Sequence, residues 1–225
     1  MSKHKLMLVL NVLAVIVLVG CNQPVGLPSN DVHAATVAVE SCYVGSDTLL
    51  TGHVDWYEGE PRIWDRYSLT FGTITRGYYY YSALQPNRAY PRQNGFCHFY
   101  VPSFTPPSGE VLACTLYYYQ SAHSGSANLV VKWLPSIESW PLLDSDSLFW
   151  LIWNSTDIVA VDTYHAGDNT WYKVPLTSAG RMAVLACSGG SLVTGWVYPD
   201  STNGTYADVS GVGANAPYIK VWYEP

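Results

Sequence analysis

The chain has 225 residues, a formal charge of −6 and a charged fraction of 12%, against about 25% in ordinary soluble domains. That length accommodates one large β domain or two small ones, and the acidic balance excludes the basic footprint of a nucleic-acid binder. Eighteen tyrosines, nine tryptophans, 18 glycines and 14 prolines, set against few straight-chain helix formers, exclude a helix-rich fold and point to β structure.

The first element is a secretion signal. Lys3 and Lys5 precede an uncharged run from Leu6 to Gly20, 15 residues long and short of the roughly 20 needed to span a bilayer. The run closes on Leu18-Val19-Gly20-Cys21, with a small residue just before a cysteine. This arrangement resembles the bacterial lipoprotein signal. The resemblance implies cleavage before Cys21 and diacylglycerol on its thiol, with several acyl chains needed for stable anchoring. Asn22 rather than Asp in the second mature position points to the outer membrane or cell surface. Loss of Lys3 and Lys5 would leave nine of the 11 basic residues against 17 acidic ones, a charge of −8. Residues 21–40, with Pro24, Gly26, Pro28, Ser29, Asn30 and Asp31, read as a flexible tether, leaving 41–225 as the folded domain.

From there, short β-type runs follow in order: Tyr67 to Ile74, Gly77 to Leu84, Phe96 to Val101, Val111 to Tyr119, Asn128 to Leu134, Leu148 to Trp153, Ile158 to Val161, Trp171 to Leu176, Met182 to Cys187, Leu192 to Val197 and Tyr218 to Tyr223. Turn residues separate them, among them Pro106-Pro107-Ser108-Gly109, Ser124-Gly125-Ser126, Gly167-Asp168-Asn169 and Ser188-Gly189-Gly190. No amphipathic helix of useful length is visible. The count fits an all-β, antiparallel two-sheet sandwich in a single domain.

Four cysteines follow Cys21, namely Cys42, Cys97, Cys114 and Cys187, an even number that in an oxidising compartment suits two disulfides without fixing their pairing. The alternative is that each is a small buried hydrophobe. No C-x-x-C spacing or histidine cluster offers a zinc site, and no cofactor is implied. Asp144-Ser145-Asp146-Ser147 resembles a fragment of a calcium loop without the Gly and distal Glu of an EF-hand, which leaves a structural calcium as the one metal to look for.

Asp55, Glu58, Glu60 and Asp65 surround Trp56, Tyr57 and Trp64, the mixture of carboxylates and aromatics that glycoside cleavage uses. Arg62 and Arg66 in the same stretch make ordinary loop ion pairs the simpler reading. No Gly-x-Ser-x-Gly elbow is present, and His165, beside Asp162 and Tyr164, is the best placed of six histidines. Nothing here amounts to a catalytic motif. Tyr78 to Tyr81 and Tyr117 to Tyr119 put tyrosines on both faces of their strands, where they pair across strands or offer rings to a sugar. The candidate ligand-binding aromatics are Trp56, Tyr57, Trp64, Tyr79, Tyr118, Tyr164 and Trp196.

Three segments in order carry a family resemblance: residues 95–120, residues 171–177 (Trp-Tyr-Lys-Val-Pro-Leu-Thr), and the closing Pro217-Tyr218-Ile219-Lys220-Val221-Trp222-Tyr223. Together they resemble the DNRLRE-type jelly-roll modules of exported bacterial proteins, over about residues 45–225. The resemblance implies an antiparallel jelly roll outside the cell, serving as a binding or structural module, and transfers no catalytic residue. The expectation is a lipid-anchored, non-catalytic surface module that binds a glycan or a surface protein. The alternatives are a structural or assembly subunit and, behind it, a polysaccharide-degrading enzyme.

Overall fold

The computed structural model describes residues 37–44, 51–57, 66–71, 73–78, 92–107, 109–135, 145–199, 205–211 and 213–225, with backbone only at 55–57, 66–71, 73–78, 92 and 145–146. The expected signal, Cys21 and tether residues 21–36 lie outside this set. One compact unit runs from Val37 to Pro225. Its first strand, β1 (Ala38–Val44), opens inside the stretch read as tether.

Eleven further strands are described: β2 (Thr51–Tyr57), β3 (Arg66–Phe71), β4 (Thr73–Tyr78), β5 (Arg92–Tyr100), β6 (Ala113–Ser124), β7 (Leu129–Trp133), β8 (Ile158–Asp162), β9 (Thr170–Pro175), β10 (Ser191–Val197), β11 (Tyr206–Ser210) and β12 (Tyr218–Tyr223). All their pairings are antiparallel, so the fold is all-β and sandwich-like, as the composition requires. One layer runs β8-β7-β10-β5-β2-β3. The other runs β1-β12-β6-β9, with β11 continuing the β12 edge of β6. The layers join where β1 pairs with Phe99 and Tyr100 and where β4 pairs with both β5 and β11. Six strands thereby form a closed circuit, β1-β12-β6-β11-β4-β5.

Alternation decides what each layer buries. Cys114, Leu116 and Tyr118 of β6, Ile219 and Val221 of β12, and Cys97 and Phe99 of β5 point inward and meet Leu192 and Trp196 of β10 in the main core. The opposite face of β5 and β10, with Phe96, Val193 and Val197, forms a second core under a helix.

That helix, α1 (Ser145–Asn154), and a second, α2 (Ser178–Ala186), correct the reading of Leu148–Trp153 and Met182–Cys187 as strands. In α1, Leu148, Phe149 and Ile152 are buried while Ser147 and Trp150 are exposed, a spacing of one helical turn. Lys132 Nζ donates to the carbonyls of Ile152 (3.2 Å) and Trp153 (2.6 Å), so a β7 cation closes the C-terminus of α1. In α2, Thr177 is the N-cap, its Oγ1 accepting from Gly180 N at 3.0 Å, and Gly180, Ala183 and Val184 face the core.

The disulfide expectation is also corrected: none of the four cysteines is bridged. Cys42 pairs with Ile219 and Cys114 with Val221, which places them on opposite sides of β12 and two residues apart along it. Two strand spacings alone come to about 10 Å, beyond the roughly 7 Å that a disulfide spans between Cα atoms. The register Tyr43–Tyr100 sets Cys42 level with Val101, four residues or about 13 Å along β5 from Cys97. Burial pushes the thiols of Cys42 and Cys114 up to about 12, helped at Cys42 by the Glu40 carboxylate, so both stay neutral and unreactive.

Candidate functional site

Two features outside the core gather polar or aromatic chemistry. The first is a cleft between the β8–β9 connection and the far end of β6. Asp162, at the end of β8, is buried. It accepts from Tyr118 Oη at 2.7 Å, and His165 Nε2 lies 3.0 Å from both its carboxylate oxygens. His123 Nδ1 lies 2.5 Å from Asp168 Oδ1, and its ring centre is 5.8 Å from that of Tyr164.

The connection is fixed as firmly as a strand. Gln120 Nε2 donates to the carbonyls of His165 and Gly167, while Tyr172 Oη donates to Gly167 O and accepts from Gly167 N. The His165 ring stacks on Tyr172 at 4.1 Å and 9°. Asn169 takes the left-handed conformation (φ 53°) that closes the turn.

This cleft has the orienting half of a catalytic arrangement, a carboxylate holding an imidazole. It lacks the other half: among the described residues, no serine, threonine or cysteine side chain bonds to His165 or His123, so no activated nucleophile is assembled there. Its free volume is about 10 Å³, room for about one water molecule and not for a sugar ring. We expect Tyr118→Phe to lower unfolding free energy by about 1–3 kcal/mol, because a buried carboxylate loses a donor. Urea denaturation measures this, and an unchanged midpoint would show that Asp162 does not depend on the phenol.

The second feature is the outer face of the β1-β12-β6-β9 layer. Register aligns Tyr100 (β5), Tyr43 (β1), Tyr218 (β12) and Tyr117 (β6) in one row that ends at Lys173 (β9). In the next row Tyr119 faces Trp171, and Trp222 lies further along β12 opposite Val39. Tyr117 and Tyr218 stack at 4.7 Å and 6°, so one face of each ring is spent on the other. Trp171 leans on both Tyr119 and Tyr218, with centres 5.6 Å apart in each case. Flanking this stack, Tyr43 is 61% exposed, Tyr100 57% and Trp171 40%. The other layer has α1 over its outer face; this one presents rings.

Of the candidate aromatics, Tyr118 and Trp196 are core residues, 1% and 0% exposed, packed edge to face at 6.1 Å. Trp196 Nε1 donates to Thr194 Oγ1 at 2.7 Å, which satisfies its one polar atom inside the protein. Tyr164 is exposed and lines the cleft. The side chains of Trp56 and Tyr57, and Trp64, Tyr79, the carboxylates around them and Asp144 and Asp146 as ligands all fall outside what is described. Among the described residues no three metal-ligating side chains converge, and no helix is long and apolar enough to cross a membrane. The aromatic row itself was missed by sequence reasoning, since its members come from four strands far apart in the chain.

No protein-family model matches the chain, and no curated protein matches it significantly, so the site is read from its own chemistry.

Proposed function

We propose that this domain is a non-catalytic surface-recognition module that binds a carbohydrate chain across its outer aromatic face. The supporting observation is the row Tyr100, Tyr43, Tyr218 and Tyr117 with Trp171 beside it, on a sheet face that neither of the described α-helices covers. The C–H face of a sugar ring packs on an aromatic face, and the tyrosine hydroxyls and neighbouring Ser41 and Thr115 supply polar partners for its hydroxyls. Strand pairing fixes the rings in place, so little ordering cost remains on binding. We further propose that the segment ending at Cys21 exports the protein and anchors it by lipid to the cell envelope, and that the domain is a jelly roll of the DNRLRE-like kind, in keeping with its antiparallel architecture.

The test is a polysaccharide-binding assay on the protein and on a Tyr43→Ala/Tyr100→Ala/Trp171→Ala variant. At about 0.5–1.5 kcal/mol per aromatic contact, each ring is worth about two- to tenfold in affinity, and the triple variant should lose binding while melting as before. Equal binding by the variant rejects the aromatic face as the site.

The same exposed rings, with Val39 also exposed, favour a second reading as an assembly subunit in which this face meets another protein. Concentration-dependent association abolished by the triple variant would select that reading.

A further inference from the structure

Taking the aromatic face as the glycan site, we propose that its ligand is an acidic polysaccharide, one bearing carboxylate, sulfate or phosphate groups along the chain. The argument is charge complementarity in a protein whose overall charge opposes such a ligand. The chain carries a net −6, and of the nine basic residues after residue 20 six are arginines, none of them in β1, β6, β9 or β12, and three are lysines: Lys132, Lys173 and Lys220. Lys132 is committed to the end of α1. The other two both lie on the aromatic face. Lys173 stands opposite Tyr117 in register and is exposed, and Lys220 holds its ammonium 5.6 Å from the centre of the Tyr117 ring.

The face is also cleared of the opposite sign. Outward positions 39, 41 and 43 of β1, 113 to 121 of β6, 171 to 175 of β9 and 218 to 222 of β12 carry no aspartate or glutamate, although 17 such residues occur in the chain. Among the described residues, neither Lys173 nor Lys220 has a carboxylate within ion-pair distance. Two ammonium groups with no carboxylate partner among the described residues, on outward strand positions of β1, β12, β6 and β9 that carry no acid, form a local positive field on a negative molecule. Their strands lie on either side of β6, which with the two-residue offset separates them by about 12 Å. That spacing suits repeated charges on a polymer better than a single small anion. The rings supply sugar contact and the lysines select the charge.

The experiment compares the whole protein with a Lys173→Gln/Lys220→Gln variant and a Lys173→Arg/Lys220→Arg variant, against a polyuronate, a sulfated polysaccharide, a phosphorylated glycan and a neutral β-glucan. We expect the unaltered protein to prefer the acidic polymers, with affinity falling as salt rises to about 0.15 M and beyond. The Gln variant should lose about three- to tenfold on the acidic polymers and nothing on the neutral one, and the Arg variant should retain binding. Which acidic polymer binds best identifies the source of the charge. Equal, salt-independent binding of acidic and neutral polymers by all three proteins would overturn the acidic preference. The aromatic reading would then still stand, provided that the Tyr43/Tyr100/Trp171 variant loses both. Failure of the unaltered protein to bind any polymer would overturn both.

Discussion

Replacing Trp196 with alanine is expected to lower unfolding free energy by about 3–5 kcal/mol, the usual range for removing a large aromatic from a well-packed core. The indole is fully buried, sits edge to face on Tyr118 and donates to Thr194 Oγ1, so the substitution opens a cavity between the layers and removes one donor from a hydroxyl that keeps its own bond to Cys97 O. In a domain of this size that corresponds to a fall in melting temperature of about 10 °C, readable by circular dichroism. Trp171→Ala on the outer face supplies the contrast, with a melting temperature close to the unaltered protein's. The reverse outcome, a stable W196A protein and an unfolded W171A protein, would invert our division of the aromatics into core and surface.

Gly180→Ala should also destabilise, by about 2 kcal/mol, although alanine is the better helix former by up to about 1 kcal/mol. A β-carbon at Gly180 would press into the carbonyl oxygen of Val159, far inside van der Waals contact, and would also touch Leu176. That carbonyl cannot retreat cheaply, because it accepts from Thr177 N at 2.9 Å and thereby ties α2 to β8. Overpacking against fixed backbone costs about 1–3 kcal/mol, and displacing α2 weakens the Thr177 cap as well. Met182→Ala, on the exposed side of the same helix, serves as the near-neutral control. Chemical denaturation of the pair decides the matter, and a stabilised G180A protein would show that helix propensity outweighs the contact.

Period-two patterning was enough to find β12 at its observed bounds and to find β5, β7, β8, β9 and β10 within a few residues. It failed at α1 and α2 for one reason. Short apolar runs such as Leu148-Phe149-Trp150-Leu151-Ile152-Trp153 look alike as a buried strand and as a helix with an apolar side, and only packing on Phe96 and Val193 separates the two. Thr177, a capping residue just ahead of Ser178–Ala186, was the local sign of a helix start. β1, β2 and β11 carry weak alternation and take their conformation from their neighbours.

Local pattern could also have sorted the tyrosines of β6. Cys114 and Leu116 fix which parity is inward, which sends Tyr118 into the core and leaves Tyr117 and Tyr119 outside. The row itself had no local signature. Tyr43 meets Tyr218 only because the first and last strands pair, and that register depends on the whole fold.

The placement of β1 has a mechanical consequence. The chain leading in from residue 37 enters β1 directly, and six residues later the same strand presents Tyr43 to solvent. If the proposed anchor and ligand face both hold, tension entering at the N-terminal end of the domain would pass first into β1 and from there, through its two ladders, into β12 and β5. β1 is hydrogen-bonded to β12 over Ala38–Tyr43 and grips β5 at its far end. A pull along β1 would therefore have to shear a ladder as a set instead of opening it one bond at a time, so the domain would resist force along β1 better than its equilibrium stability suggests.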